Sequence, residues 1–176
     1  MTTIMRIIDL TMSIHNGMFV YPGTPVVNIK QLLTMDKDGW NMKRIHINGH
    51  DGTHVNAPIH CTKNGKTLDD YDVSDFCGEC VLYEIDSDIQ PGIGIIFTKQ
   101  ITMETAKHIV SIRPKFVGLV VEADEKIEQY LLYNGIILFE RLTNTNKLPK
   151  QFLFYGVPLK IKDGDGSPVR AFAVLS

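Results

Sequence analysis

The chain has 176 residues, of which 44% are hydrophobic and 22% are charged, and its formal net charge is −2. This size and composition predict one globular domain over residues 1–176 with a single core, and they exclude a disordered or fibrous chain. The near-neutral charge gives no electrostatic reason to expect nucleic acid or an anionic membrane as a partner.

Strands dominate the first half of the predicted secondary structure. The turn Tyr21-Pro22-Gly23-Thr24-Pro25 separates the first two of them. The third alternates apolar and polar residues, with Ile45 and Ile47 on one face, as a half-buried strand does. The strands predicted in this half cover residues 4–10, 26–34, 42–49, 80–86 and 93–97.

Two helices enter the second half. Thr102 can cap a helix over residues 103–112, and Asp124 can cap a helix of about three turns that ends at Gly135. Further strands are predicted over residues 115–121, 136–140, 152–161 and 169–174. The chain is therefore predicted to be of the α/β class, with a predominantly β body and two main helices.

Three of the six histidines, His50, His54 and His60, lie within eleven residues. His54, Asn56, Pro58 and His60 occupy every second position, so an extended backbone would direct them to one face. The turn at Gly52-Thr53 could fold His50 back toward them. Such clusters also occur in solvated loops, but this density and spacing favour a site for zinc or manganese, built from imidazoles and an amide oxygen.

The stretch from His50 to His60 resembles the motif H-x-G-T-H-x-D-x-P-x-H of the cyclase family of metal-dependent hydrolases, which includes bacterial kynurenine formamidases and isatin hydrolases. Asn56 replaces the aspartate of that motif. Tyr21-Pro22-Gly23 is similar to the family's aromatic turn, and residues 158–161 with 165–171 are similar to its closing motif. The resemblance implies a swivelling β/β/α fold and an assembly into homo-oligomers, either dimers or tetramers.

Two glutamates complete the expected metal site. Glu140 ends a nearly continuous apolar strand, where a carboxylate is costly unless it is paired or bound to a cation. It could instead emerge from the sheet toward Arg141 or solvent. The resemblance implies that Glu140 is a metal ligand, and it places Glu128 where the family has a histidine, although an exposed helix glutamate is the alternative. The expected ligands are His50, His54, Asn56, Glu128 and Glu140.

The two departures from the family pattern preserve the charge of the ligand set, because Asn56 removes one negative charge and Glu128 restores one. We treat this compensation as a hypothesis. An amide offers one good oxygen donor and does not bridge two metals well. Asn56 therefore favours one metal ion, or one tightly and one weakly bound ion.

The resemblance implies a function as well. It assigns His60 as the general base and acid and Tyr21 as a pocket residue that binds a planar, small-molecule substrate, while Thr24 stands where the family more often has an acidic residue. The predicted activity is hydrolysis of a small amide, formamide or cyclic amide by metal-activated water. The alternative is a non-catalytic metal-binding or small-molecule-binding protein derived from this family.

The remaining cysteine and acidic motifs carry weaker signals. Cys77 and Cys80 have the spacing of a redox pair or half a zinc site, but buried structural thiols are favoured. An extended backbone would direct Cys61 away from His60. Residues 163–167 imitate the start of a calcium loop but lack its final glutamate, which indicates a turn. Three cysteines, no signal-peptide pattern and short apolar runs lead us to expect a cytoplasmic protein without membrane spans.

Overall fold

The computed structural model describes residues 5–83 and 89–175. Nine strands in this part of the chain form one mixed sheet and two form a separate hairpin. The strands are β1 (Arg6–Asp9), β2 (Asn28–Leu33), β3 (Met42–His46), β4 (His54–Asn56), β5 (Cys77–Leu82), β6 (Gly94–Phe97), β7 (Phe116–Leu119), β8 (Ile137–Glu140), β9 (Gln151–Tyr155), β10 (Gly166–Pro168) and β11 (Phe172–Leu175). The helices are α1 (Met35–Asp38), α2 (Met103–Ile112) and α3 (Glu125–Tyr133).

The large sheet has the order β1-β11-β9-β5-β6-β7-β8-β4-β10. Its centre, from β5 to β8, is parallel, and the strands on either side pair antiparallel. Helix α2 connects β6 to the parallel strand β7, and α3 connects β7 to the parallel strand β8. The hydroxyl of Thr102 and the carboxylate of Asp124 cap these helices, as the sequence predicted.

The core has two layers, one on each face of the sheet. Helices α2 and α3 cover one face, where Leu131 packs in the same cluster as Leu138 of β8. On the other face, the rings of Phe116, Phe139 and Phe154 lie with centroids 4.9–5.5 Å apart. Because side chains alternate along a strand, Glu140 projects to the same face as Leu138, toward the helices. This parity places the carboxylate on the side where α3 begins.

The predicted division into a β body with two main helices is confirmed in the described residues, and none of their helices is both long and apolar enough to span a bilayer. Several element bounds are different. The strand predicted over 152–161 ends at Tyr155, and that predicted over 169–174 begins only at Phe172. The sequence also missed α1 and β10, which have four and three residues and are too short to show a periodicity. Residue 4 and residues 84–86 of the predicted strands lie outside the described residues.

The prediction of a half-buried strand over residues 42–49 is wrong. Strand β3 ends at His46 and all five of its residues are exposed. It pairs only with β2, in a hairpin outside the large sheet, so neither of its faces is covered by the core. Ile45 is 59% exposed as a result. The alternating pattern correctly predicted a strand, but it did not show whether that strand would pair in the large sheet or in the separate hairpin.

Candidate metal centre

Strand β4 pairs with β8 and thereby places the histidine motif next to Glu140. The antiparallel register sets His54 opposite Glu140, with His54 Nε2 3.5 Å from Glu140 Oε2. His54 Nδ1 is 2.8 Å from the Gly52 carbonyl, which can accept its proton and so orients the ring with Nε2 toward the carboxylate. Both side chains are buried. The two residues that the sequence placed 86 positions apart thus meet at the base of the site.

A tight turn returns His50 to the same site. Gly52 has a φ of 67°, a conformation that favours glycine, and the Thr53 hydroxyl anchors the turn to the Arg141 carbonyl at 2.7 Å. His50 Nδ1 lies 2.7 Å from Asn56 Oδ1, and its Nε2 lies 2.8 Å from Asp165 Oδ2. A neutral imidazole donates one proton and therefore satisfies only one of these acceptors. The other nitrogen presents a lone pair to an oxygen, an arrangement that a bound cation would relieve.

Asn56 connects the two glutamates. Its amide nitrogen donates to Glu128 Oε1 at 2.9 Å and to Glu140 Oε2 at 3.2 Å. An aspartate at this position would have no proton to donate and would add a third negative charge. The amide therefore holds together two carboxylates that would otherwise repel each other.

Glu128 is not an exposed helix residue, because only 19% of its side chain is accessible and it faces the motif. Burial and the nearby charge of Glu140 raise the pKa of Glu128 to about 7. Burial also works to raise the pKa of Glu140, but the hydrogen bond and charge of His54 hold that pKa below its usual value. Neither glutamate forms an ion pair with a lysine or arginine of the described residues.

His60 reaches the site by a different route from the one predicted. The extended backbone stops at Asn56, and residues Pro58–His60 form a 3-10 turn, so the argument from alternating positions is wrong for this residue. His60 nevertheless lies 3.8 Å from Glu128, from Nε2 to Oε1, and its ring centroid is 4.0 Å from that of His50. Burial and the neighbouring His50 lower the pKa of His60, which favours the neutral imidazole.

Asp165 also belongs to the site, although it was not among the predicted site residues. Its Oδ2 lies 2.8 Å from His50 Nε2 and 3.3 Å from His60 Nδ1, so one carboxylate orients two of the three imidazoles. Burial works to raise the pKa of Asp165, yet the hydrogen bonds from these histidines hold it below its usual value. The available signal was the closing motif that contains Asp165. The turn predicted over residues 163–167 is present only at its start, around Asp163, because Gly166 and Ser167 belong to β10.

The prediction that Cys61 points away from the site is also wrong. The turn that replaces the extended backbone directs Cys61 into the same cavity as His60 and Glu128. Burial and the charges of Glu128 and Glu140 raise the pKa of the Cys61 thiol to about 11. The thiol is therefore protonated at neutral pH when no cation is bound, which excludes it as a thiolate nucleophile. Cys77 and Cys80 are free thiols in β5; Cys80 is buried and Cys77 is partly buried.

The three histidines of the motif, Asn56, Cys61 and the two glutamates line one open cavity of about 460 Å³. Tyr21, the predicted substrate-binding residue, lies at its rim, where its hydroxyl donates to Glu125 Oε1 at 2.7 Å and its side chain remains largely exposed. Thr24 lines the same rim. All five predicted ligands and the predicted base thus border a single space: His50, His54, Asn56, Glu128, Glu140 and His60.

The donor set fits a divalent metal. It combines imidazole nitrogens with buried carboxylates that lack a fixed cation, the donor types that zinc and manganese accept. Two groups of potential ligand atoms already lie within 4.8 Å of one another: His50, His60 and Asp165 form one, and His60, Cys61 and Glu128 form the other. Deeper in the cavity, His54, Asn56 and Glu140 offer further donors around the contacts described above.

Gly166 provides a test of how His50 is held. A Cβ atom at this position would lie 2.3 Å from His50 Cε1 and 2.7 Å from its Nδ1, so the ring rests directly on the glycine. We expect Gly166→Ala to displace the ring and lower zinc affinity about 10-fold or more, with a change below about 1 kcal/mol in the free energy of unfolding. Zinc competition against a chromophoric chelator measures the affinity. In a His50→Ala background the same change should have no further effect, and a further loss there would contradict this explanation.

Comparison with known proteins gives the following relatives. The model of the Cyclase family, described as "Putative cyclase", matches residues 8–155. Kynurenine formamidase of Salinibacter ruber is 25% identical over 204 residues, covering 95% of this chain and 96% of the relative. An isatin hydrolase bound to the product analogue thioisatinate has a TM-score of 0.86 at 18% identity, covering 97% of this chain and 92% of that chain. The structure of a potential metal-dependent hydrolase with cyclase activity has a TM-score of 0.80 at 23% identity. The match covers 97% of this chain and 98% of that chain.

The similarity of fold to these structures confirms the predicted β/β/α class. The family match extends from β1 to the end of β9 and includes the whole histidine motif. This match, together with the motifs at both ends of the sequence, identifies the chain as a member of the Cyclase family.

Proposed function

We propose that this protein is a metal-dependent hydrolase that cleaves the carbon–nitrogen bond of a small amide, formamide or cyclic amide. The observation that carries the proposal is the convergence of three imidazoles and two facing carboxylates on one open cavity. Relatives named kynurenine formamidase and isatin hydrolase support the amide class. A relative named as a potential metal-dependent hydrolase supports the metal.

The residues that would hold the metal are His50, His54, Asn56, Glu128 and Glu140. They supply nitrogen and oxygen donors, and zinc and manganese both accept such a mixture. When bound, the cation would lower the pKa of a water molecule from about 15.7 toward neutrality and polarise the substrate carbonyl. The two glutamates would supply negative charge that binds the cation, and the cation would offset the repulsion between them.

His60 would act as the general base and acid. Asp165 accepts from its Nδ1, at 3.3 Å, which leaves the Nε2 lone pair directed into the cavity. The low pKa of the ring keeps it neutral and able to take a proton from the attacking water. The same nitrogen would then donate the proton to the departing amine or amide nitrogen, so His60 alone would serve as both base and acid.

Tyr21 would contact the substrate at the rim. Tyr21 is 53% exposed and its hydroxyl is fixed by Glu125, so its ring could present a planar apolar surface to a substrate. The cavity of about 460 Å³ is in the range of small-molecule sites, about 300–1,000 Å³. A planar or aryl-bearing amide suits both features.

A panel of aryl formamides, cyclic amides and lactones, assayed with and without a metal chelator, tests the proposal. We expect turnover of at least one amide, its loss with chelator and its return when zinc or manganese is added. The alternative is a non-catalytic metal-binding or small-molecule-binding protein, and the departures from the family motif at Asn56 and Glu128 favour it as the second candidate. Bound metal without turnover of any amide in the panel would support that alternative.

A further inference from the structure

The outer edge of the cavity carries two potential metal ligands, His60 and Cys61, that are not among the proposed primary ligands. They lie beside Glu128, which is, and whose carboxylate could bridge two ions. We propose that His60, Cys61 and Glu128, here called the outer triad, form a second, weaker zinc site in which Cys61 binds as a thiolate, its proton passing to solvent as the zinc–sulfur bond forms. The imidazole nitrogen, the sulfur and the carboxylate oxygen lie within 4.8 Å of one another. Donor atoms around a tetrahedral zinc ion lie roughly 3.3–3.8 Å apart, so small side-chain movements close the site.

The second nitrogen of His60 supports this assignment. A histidine that binds zinc usually donates its other ring N–H to a carboxylate, which fixes the ring and its tautomer. His60 has this arrangement, because Nδ1 contacts Asp165 Oδ2 at 3.3 Å while Nε2 faces Glu128 Oε1 at 3.8 Å. The nitrogen on the Glu128 side is therefore the one with the free lone pair.

The position and chemistry of the triad separate it from the deeper ligands. His54 and Glu140 are almost fully buried, whereas 32% of the His60 side chain is accessible and Cys61 is exposed. Three protein ligands leave a fourth tetrahedral position open to water at the cavity mouth. A thiolate favours zinc over manganese or magnesium, so this site selects a softer ion than a set of nitrogen and oxygen donors requires.

Occupation of this site has a consequence that rests on the proposed function. Zinc on His60 Nε2 would engage the lone pair that the general base needs, so excess zinc would inhibit hydrolysis. Excess manganese, which has little affinity for thiolate, would not. The outer triad would thus make the enzyme sensitive to the concentration of free zinc.

Cobalt titration of the full chain tests the site without any substrate, since cobalt replaces zinc and a thiolate–cobalt bond absorbs in the near ultraviolet. We expect two equivalents to bind, with the thiolate charge-transfer band developing only with the second. Cys61→Ser should abolish the band and lower the affinity of the second equivalent about 10-fold or more. Cys77→Ser is the matched control, because it removes a partly buried thiol outside the cavity. It should retain both the band and the affinity for the second equivalent.

Glu128→Gln should keep the band, because the sulfur ligand remains, but it should weaken both equivalents and so require more cobalt to produce the band, because Glu128 belongs to both sets of ligands. Absence of the band at saturating cobalt, its development with the first equivalent, or its persistence in Cys61→Ser would each overturn the assignment. The outcome is independent of turnover: a protein that shows the band but hydrolyses no amide retains the outer site and loses only the proposed function.

Discussion

Replacing His60 with alanine is expected to lower kcat by about 10²–10⁴-fold on whichever amide the protein hydrolyses, while the first equivalent of metal remains bound. The reason is that His60 would carry the proton from water to the leaving nitrogen, whereas the deeper donors at His54 and Glu140 do not depend on it. Steady-state kinetics with one metal equivalent per chain, together with elemental analysis of the same sample, give both quantities.

His46→Ala is the control for this variant, because His46 is an exposed histidine in the β2–β3 hairpin and outside the cavity. It should leave both kcat and metal content unchanged. If His60→Ala retained turnover within a few-fold of the unaltered protein, the assignment of His60 as the base would be wrong. If it lost the first metal as well, His60 would be a ligand of the primary site.

The sequence predicted those parts of the fold that leave a local periodicity. The apolar run of β8 and the capped helices α2 and α3 are long enough to show one, and each lies within two residues of its predicted bounds. Strand β10 has three residues and exists because it pairs with β4, a contact between segments 110 positions apart at Gly166 and Asn56. No local pattern encodes such a pairing.

The candidate site shows the same limit. A motif of fixed residues indicated His50, His54 and Asn56, and the geometry brings them together. The 3-10 turn at Pro58–His60 was not predicted, because alternating residue types fit an extended backbone equally well until the proline is placed in its tertiary context. That turn reverses the expected direction of Cys61. The closing motif marked the segment that contains Asp165, but the contacts of Asp165 with the histidines depend on the pairing of β10 with β4.

Asn56 stands where the family pattern has aspartate, and Glu128 stands where it has histidine. Restoring these family residues gives the second large prediction. Asn56→Asp alone removes the donor to Glu128 and Glu140 and adds a third carboxylate between them. We expect the metal-free variant to lose about 2–4 kcal/mol in free energy of unfolding, because two carboxylates then lack their hydrogen-bond donor and face another negative charge. Urea denaturation in the presence of chelator measures this loss.

Combining Asn56→Asp with Glu128→His should recover much of that stability, because the new imidazole can donate to the new carboxylate and one of the three negative charges is removed. The two changes should therefore be non-additive by about 1–3 kcal/mol, as expected for residues in direct contact. Asn56→Asp with Glu125→His is the matched control, since Glu125 lines the same cavity on the same helix but bonds to Tyr21. Equal coupling in both pairs, or none in the first, would show that the two departures from the family pattern do not compensate each other. Strong coupling confined to the first pair would mean that the Asn56 amide offsets the charge of the two facing carboxylates in this chain.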